Sequence, residues 1–318
     1  MKAIVCTRYG PPEVLQLREV EKPIPKKNEL CIKIYATSVT SSDCIVRSFD
    51  IPMWHPMGLM MALVMGFGKP RNPILGMVAA GEVDSVGGEV KRFKTGDQVL
   101  AYTVLSPTKT RFGTYAQYIC IPEDWIVLPK PSNVTYEEAA AIPYPGELAM
   151  FFLKKGEIQS RNSVLIVGAS GSIGSTAVQL ARYFGAKVTG VCSTANVELV
   201  RSLGAEMVID YTKEDYSMRS EHHDLILDAV PQQVANRKSL KSQAKNALTP
   251  EGKYISIDDG IAKTSYDDLA LMMDLAESGK FKPVIDRSYP LEQMVEAHRY
   301  VETGHKKGNV VITVDHDV

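Results

Sequence analysis

A glycine-rich turn between an apolar run and an amphipathic segment constrains the fold of this chain more than any other feature. The apolar run ends at Val167, the turn spans 168–174, and apolar residues recur at helical spacing over 175–184. This order is typical of a buried strand, a tight turn and a helix. The first turn of such a helix presents N–H groups that bind anions. We therefore predict a strand and a helix of an α/β layer, with an anion site at the turn.

The turn matches two of the three glycines of the dinucleotide-binding pattern G-x-G-x-x-G. Ala169 replaces the first glycine, whereas Gly171 and Gly174 occupy the other two positions. In that pattern the second glycine lets the backbone approach the pyrophosphate, and the third lets the helix pack closely on the strand. A second strand-like run, Lys187–Cys192, follows the helix, as such a site requires. The predicted phosphate-binding residues are Ala169, Ser170, Gly171, Ser172, Ile173 and Gly174.

The residues after this second run favour NADPH over NADH as the dinucleotide. Sites that prefer NADH place Asp or Glu about 20 residues after the glycine turn, where the carboxylate binds the ribose 2′-OH. This chain has Ser193 there, followed by Thr194 and Asn196, and these small polar side chains leave room for a 2′-phosphate. Together with Tyr211 they are the predicted contacts of the adenosine and its phosphate. Alternatively, Ser193 and Thr194 cap the helix that begins near Asn196.

The chain changes character near residue 129. Before it, short β-like runs alternate with glycine-containing turns, as in a small β-barrel. After it, continuous apolar runs alternate with helical segments, which is typical of a doubly wound parallel sheet with both faces covered. The tail from 266 returns to a different pattern that has no obvious place in that sheet. We predict an α/β fold with a separate β-rich part.

Composition restricts the class of partner. The 318 residues carry a net charge of -1 without a block of like charge, so neither nucleic acid nor a polybasic membrane contact is expected. The first residues lack the apolar core of a signal peptide, and the longest apolar stretch, 57–67, is too short to span a bilayer. The five cysteines show no C-x-x-C spacing. We expect a cytoplasmic protein with reduced thiols and a small-molecule substrate.

Several motifs outside the glycine turn carry a family resemblance. They are MKAIV at 1–5, YGPPEVL at 9–15, RFKTGDQV at 92–99, GTYAQY at 113–118 and PVIDRSYP at 283–290. With the glycine turn they make the chain resemble the medium-chain dehydrogenase/reductase superfamily, in its zinc-independent quinone oxidoreductase-like branch. The resemblance implies a Rossmann doubly wound parallel sheet plus a GroES-like β-barrel catalytic domain, with the active site in the cleft between domains. The implied domains are 1–128 (catalytic, first part), 129–265 (Rossmann, NADP-binding) and 266–318 (return to the catalytic domain).

The resemblance also locates the positions at which zinc-dependent relatives hold their catalytic metal. Thr40, Met77 and Tyr144 stand there, and none of them is an ordinary zinc ligand at neutral pH, so we expect no metal. The resemblance places Thr40, Asp43 and Tyr144 around this vacated site as candidate catalytic residues that orient an acceptor carbonyl or relay a proton. The alternatives are a structural hydrogen bond within a turn for Asp43 and a lining role without chemistry for the other two.

Reduction without zinc is therefore the favoured reaction. Alcohol oxidation depends on a Lewis acid, whereas an electron-poor quinone or α,β-unsaturated carbonyl accepts hydride from NADPH without one. An enoyl-thioester reductase and a non-catalytic NADPH-binding protein are the alternatives.

Three further segments bear on this hypothesis. The methionine-rich segment 51–67 suits a lid over the substrate or, alternatively, ordinary core packing. In relatives, a segment with a Gly-Lys-Val-Val signature approaches the cofactor. Lys306 and Asn309 of this chain fall in that segment, and Asn309 replaces the usual lysine. The connection between Asp258 and Asp267 is too short for the strand that pairs across the dimer in many relatives, which leaves a homodimer as one option.

Overall fold

The computed structural model describes residues 1–49, 59, 62–63, 65–106, 109–215, 221–230, 244 and 246–316, and the chain divides into two compact units. Unit 1 comprises Met1–Pro143, Ile285–Gly304 and Asn309–Val318. Unit 2 comprises Tyr144–Val284 and His305–Gly308. Most of the predicted lid at 51–67 lies outside the described residues.

Most strands of the described residues lie in unit 1, and the others form the sheet of unit 2. In chain order they are β1 (Lys2–Cys6), β2 (Leu15–Glu19), β3 (Glu29–Val39), β4 (Val78–Val86), β5 (Gln98–Tyr102), β6 (Val104–Ser106), β7 (Lys109–Thr110), β8 (Tyr118–Pro122), β9 (Ile126–Pro129), β10 (Ser163–Val167), β11 (Lys187–Cys192), β12 (Met207–Asp210), β13 (His223–Asp228), β14 (Leu248–Ser256), β15 (Ile285–Pro290) and β16 (Asn309–Thr313).

Helices connect and cover these strands. The α-helices are Ser41–Ser48, Tyr136–Ala140, Pro143–Lys155, Ser172–Tyr183, Val197–Ser202, Tyr266–Glu277 and Met294–Glu302. Short 3-10 helices cover Pro12–Val14, Thr194–Asn196 and Leu291–Gln293. Within the described residues, no helix is long and apolar enough to cross a membrane.

Unit 1 is built around one large sheet. Its strand order is β15-β16-β3-β4-β5-β9, and β8 pairs with β3. The long strand β3 is central because it pairs antiparallel with β4, β8 and β16. Alternate side chains of β3, namely Leu30, Ile32 and Ile34, are fully buried in the core, as the two-residue period of a strand requires. The tail strands β15 and β16 thus join the N-terminal sheet and not the parallel one.

Unit 2 holds a parallel sheet with the strand order β12-β11-β10-β13-β14. Strand β10 lies between β11 and β13, so the order of connections reverses at its edge. Ligands of open α/β sheets bind at such a reversal, outside the carboxyl ends of the strands. The glycine turn follows β10 at that end. This sheet and the separate sheet of unit 1 confirm the predicted fold class.

The division into units differs from the predicted domains at three places. The predicted boundaries fall at 128 and 265, whereas the units divide at Pro143 and after Val284. The segment His305–Gly308, predicted to lie in the catalytic domain, also belongs to unit 2. The helix Tyr266–Glu277 stays with unit 2 because it packs on the helix Pro143–Lys155. There Met272 lies 3.5 Å from the position of a Cβ on Gly146, and Lys154 forms an ion pair with Asp268.

The link between β14 and the helix Tyr266–Glu277 contains turns and irregular chain and no strand. The sequence predicts this absence from the shortness of the segment.

Candidate functional site

The glycine turn owes its shape to Gly168 as well as to the glycines of the pattern. Gly168 has φ = 77°, in the left-handed region that favours glycine. The N–H groups of Gly168 and Ala169 donate to the carbonyl of Val191 at 3.1 and 3.0 Å, which ties the turn to β11. A Cβ on Gly174 would lie 2.1 Å from the Gly168 carbonyl oxygen. Because Gly168 makes the tight turn, the fully buried Ala169 replaces the first glycine of the pattern without distorting it.

The helix Ser172–Tyr183 begins beside this turn with its N-terminus open. Gly171 is the N-cap residue and has no side chain to cap the helix, so the first N–H groups remain for an anion. A Cβ on Gly171 would meet nothing closer than 3.5 Å, which marks the open side of the turn. The turn therefore has the shape that a dinucleotide pyrophosphate needs.

A lysine lies at the same helix terminus. Lys306 Nζ donates to Ser172 Oγ at 2.9 Å and to the Gly308 carbonyl at 2.7 Å. Gly308 N in turn donates to the Ser170 carbonyl at 2.9 Å, which fixes the segment His305–Gly308 on the turn. A cation beside a helix N-terminus strengthens an anion site. The sequence indicated this segment through a signature centred on Asn309, and the structure places Lys306 at the turn.

The predicted adenosine contacts form a second group beside the turn. Asn196 Nδ2 donates to Ser170 Oγ at 3.0 Å and to Ser193 Oγ at 3.2 Å. Asn196 Oδ1 is buried and has no hydrogen-bond partner among the described residues. A buried acceptor of this kind fits a hydroxyl or amide donor of a ligand. Neither Ser193 nor Asn196 caps the following helix through its side chain.

A carboxylate that the sequence did not single out lies next to Thr194. The Thr194 hydroxyl donates to Asp210, as does the Thr212 hydroxyl at 2.7 Å. These hydrogen bonds hold the pKa of Asp210 at about 2, so the carboxylate is ionised. Lys213 Nζ lies 3.4 Å from it and offsets its charge. Asp210 ends β12, and the carboxyl ends of parallel strands meet at one edge of a sheet, so its strand position could have identified it.

Tyr211, another predicted adenosine contact, follows Asp210 at the end of β12. Its N–H donates to the Cys192 carbonyl at 3.1 Å, and its side chain is 61% exposed. The ring is therefore available to a ligand at this edge.

Thr40 and Asp43 form a helix cap in unit 1. Thr40 N and Oγ1 donate to Asp43 Oδ2 at 2.8 and 2.6 Å, and Asp43 N donates back to Thr40 Oγ1 at 3.2 Å. This is a capping box at the start of the helix Ser41–Ser48. Burial raises the pKa of Asp43 to about 6, although the bonds from Thr40 act in the opposite direction. This geometry is the structural hydrogen bond within a turn that was the alternative for Asp43. The catalytic roles of Thr40 and Asp43 stay predictions.

The other two residues that the family resemblance assigns to the metal position of zinc-dependent relatives are Met77 and Tyr144, which lie in different units. Met77 is a buried thioether, and Tyr144 is a half-buried phenol in the helix Pro143–Lys155 of unit 2. Neither belongs to the thiolate, imidazole and carboxylate donors that zinc prefers. In the described parts of the chain, no three His, Cys, Asp or Glu residues are grouped so that they could hold a metal ion.

Comparisons with known proteins agree with this architecture. Residues 26–132 match the alcohol dehydrogenase GroES-like domain, and residues 203–312 match the zinc-binding dehydrogenase family. The chain is 35% identical to 2-methylene-furan-3-one reductase of Solanum lycopersicum over 98% of its length and 79% of the relative. It is 33% identical to the chloroplastic NADPH-dependent alkenal/one oxidoreductase of Arabidopsis thaliana, with the same coverage.

A solved structure gives the same result. The quinone oxidoreductase from Coxiella burnetii superimposes with a TM-score of 0.79 at 25% identity, over 99% of each chain. The chain therefore belongs to the medium-chain dehydrogenase/reductase superfamily, in its quinone oxidoreductase-like branch. It is an oxidoreductase that uses a nicotinamide cofactor.

Stability should depend on pH through Asp43. Its folded pKa of about 6 exceeds the unfolded value of about 3.9, so stability falls as pH rises from 4 to 7. Asp43→Asn keeps a cap acceptor but cannot ionise. Relative to wild type, the variant should gain up to about 3 kcal/mol of unfolding free energy between pH 4 and 7, measured by urea denaturation. Asp124→Asn, at an exposed position, is the control and should give no such gain.

Lys306→Met should weaken cofactor binding. Removal of the cation from the helix N-terminus should raise the Kd of the nicotinamide dinucleotide roughly tenfold, as expected for a charge-assisted hydrogen bond. Isothermal titration calorimetry measures this change. Lys307→Met removes the exposed neighbouring cation and should leave the Kd nearly unchanged. Equal losses in the two variants would show that Lys306 has no specific role.

Proposed function

We propose that this chain is an NADPH-dependent oxidoreductase that transfers a hydride to a quinone or an α,β-unsaturated carbonyl compound without zinc. The names of the relatives support this proposal, since they include an alkenal/one oxidoreductase, a 2-methylene-furan-3-one reductase and a quinone oxidoreductase. An acceptor of this type is already electron-poor and needs no metal to polarise it.

The feature that carries the proposal is the chemistry of three residues that the family resemblance assigns to the ligand positions of zinc-dependent relatives. These residues are Thr40, Met77 and Tyr144, which carry a hydroxyl, a thioether and a phenol. A hydroxyl and a phenol can hydrogen-bond an acceptor carbonyl but hold zinc poorly. This set favours reduction of a conjugated carbonyl over oxidation of an alcohol.

The residues of unit 2 would bind and orient the cofactor, which supplies the hydride when bound. The open N-terminus after Gly171 and the Lys306 ammonium suit the pyrophosphate. The buried Asn196 Oδ1 can accept a hydrogen bond from a hydroxyl of the adenosine ribose. Reduction also requires a proton, for which Thr40, Asp43 and Tyr144 are the proposed sources. Between Thr40 and Asp43, the carboxyl is the better donor because its pKa of about 6 lies near neutrality.

Preference for NADPH rests on the small polar residues at the end of β11. The hydroxyl of Ser193 can donate to a 2′-phosphate, whereas that of Thr194 already donates to Asp210. The Lys213 ammonium lies beside Asp210 within the same group. Both oxygens of Asp210 accept hydrogen bonds from threonines. The carboxylate is therefore already bound and does not point a free oxygen at the ribose in the way that an NADH-selective acid does.

The purified protein, with a chelator present, should oxidise NADPH when given a quinone or a 2-alkenal. The conjugated acceptor takes the hydride without a Lewis acid, so the chelator should leave the rate unchanged. Loss of absorbance at 340 nm measures the reaction, and the saturated aldehyde of equal length is the control acceptor. Abolition of the activity by the chelator would contradict zinc independence.

The same acceptor panel separates the alternatives. Turnover confined to enoyl-thioesters would replace the proposal by an enoyl-thioester reductase. Tight NADPH binding without turnover of any acceptor would indicate a non-catalytic NADPH-binding protein.

Ser193→Asp should reverse the cofactor preference. A carboxylate at this position repels the 2′-phosphate of NADPH and can bind the free 2′-OH of NADH. The KM for NADPH should rise at least tenfold, while the KM for NADH changes little or falls. Ser193→Asn, a neutral side chain of similar size to aspartate, should affect the two cofactors similarly. If Ser193→Asp weakened both equally, Ser193 would not lie at the 2′-phosphate.

Other expectations from the sequence remain part of this proposal. They are a cytoplasmic location, a small-molecule partner without nucleic-acid or membrane contacts, and the homodimer as an option. Size-exclusion chromatography with light scattering addresses the oligomeric state directly.

A further inference from the structure

Two cysteines of unit 1 face each other across neighbouring strands. Cys31 of β3 and Cys120 of β8 are direct partners in the antiparallel register, which has no bulge along this pair of strands. Both are buried thiols, with 0% and 3% exposure. They are 89 positions apart in sequence, so only the pairing of β3 with β8 brings them together.

The hydrogen-bond pattern of the two strands places the cysteines in a close pair. Ile34 N donates to the Gln117 carbonyl at 2.9 Å, and Glu123 N donates to the Asn28 carbonyl at 3.0 Å. Hydrogen-bonded pairs alternate with non-hydrogen-bonded pairs along an antiparallel ladder. Counting from either end, Cys31 and Cys120 form a non-hydrogen-bonded pair.

Such a pair has the dimensions of a disulfide. Its Cα atoms are about 4.5 Å apart, within the range of about 4.4–6.8 Å that a disulfide spans. The two side chains also lie on the same face of the sheet. A bond between the sulfur atoms therefore requires little movement of the backbone.

The cysteine pair lies on the face opposite the core. The core side chains of these strands are their sequence neighbours Leu30, Ile32, Ile119 and Ile121. Over the cysteines runs the segment 21–28, in which no residue is buried. Cys31 Sγ contacts the Pro23 carbonyl at 3.8 Å.

Two contacts of Lys22 hold this covering segment in place. Lys22 Nζ lies 4.0 Å from the centre of the Tyr118 ring and 2.8 Å from Asp84 Oδ1. A stretch of chain without a buried residue thus lies against Cys31. A small oxidant can reach the thiols through a local displacement of that stretch, without opening the core.

The two thiols differ in acidity. The interaction between the two thiols lowers the pKa of Cys31 and raises the pKa of Cys120, although burial acts on Cys31 in the opposite direction. Lys22 also favours the Cys31 thiolate, whereas Asp84 opposes it. This difference favours Cys31 as the nucleophile, because the thiolate is the reactive form of cysteine, and leaves the proton on Cys120.

We propose that Cys31 and Cys120 form a redox-active dithiol that hydrogen peroxide converts reversibly into a cross-strand disulfide. The Cys31 thiolate attacks one peroxide oxygen, the O–O bond breaks, and a sulfenic acid and hydroxide form, the latter protonated to water. Cys120 then attacks the sulfenic sulfur, the S–S bond forms, and a second water leaves with the Cys120 proton. Two thiols are oxidised by two electrons, and one peroxide is reduced to two waters.

The other cysteines lack this arrangement. Burial raises the pKa of Cys6 and of Cys192 to about 11, which keeps both as unreactive thiols. Cys192 lies in the other unit and provides the matched control.

The test is a thiol count and a peptide map of the full chain after peroxide treatment. Wild-type protein should lose two of its five titratable thiols. Trypsin without reductant should release one cross-linked species that joins the peptide with Cys31 to the peptide with Cys120, lighter by two hydrogens. Dithiothreitol should restore all the thiols. Retention of all five thiols in the folded protein, or a different or intermolecular cross-link, would overturn the proposal.

Variants test the order of the steps. In Cys120→Ser the sulfenic acid on Cys31 has no resolving thiol and should accumulate, so dimedone should label it. In Cys31→Ser, Cys120 should stay unlabelled. Cys192→Ser should still lose two thiols and form the same cross-link. Because the wild-type cross-link is measured independently, a variant that fails to fold leaves the main test intact.

Discussion

The contact between Gly174 and the Gly168 carbonyl determines the geometry of unit 2. The helix starts so close to the end of β10 that no Cβ fits between them. This closeness leaves the first helical N–H groups facing outward at the edge of the sheet where the strand order reverses. The anion site, the position of Lys306 and the hydrogen bond from Asn196 to Ser170 all depend on that close packing.

The charged side chains at this edge of the parallel sheet include both positive and negative groups. Lys306 lies at the helix terminus, whereas Asp210 is ionised beside Thr194 and is offset by Lys213. A site of this composition can bind an anionic dinucleotide without a strongly basic surface, which agrees with the net charge of -1. Discrimination between cofactors depends on which polar groups meet the ribose, and Ser193 is the residue proposed for that position.

Thr40 and Asp43 combine a structural role with an unusual acidity. In this fold they form a capping box, and burial places the pKa of Asp43 near neutrality. A carboxyl with such a pKa can hold a proton at neutral pH, as a proton donor must. The same burial weakens the fold when the carboxyl ionises, so stability falls as pH rises through the folded pKa.

The local sequence pattern was sufficient to predict the strand, turn and helix around Gly171, because short-range steric effects and the spacing of apolar residues determine these elements. It also indicated the parallel sheet, the separate β-rich part and the small polar residues after β11. The predicted boundary at 265 differs from the division of the compact units after Val284, because the side on which the helix Tyr266–Glu277 packs depends on long-range contacts such as Lys154–Asp268.

Other features were beyond any local pattern. The placement of Lys306 at a helix more than 120 residues earlier and the pairing of Cys31 with Cys120 both join distant segments. By itself the sequence determined which elements form and which chemical groups each one carries. Only the tertiary structure decided which of those groups meet, because strand register and helix packing, set by the whole core, fix the distances between them.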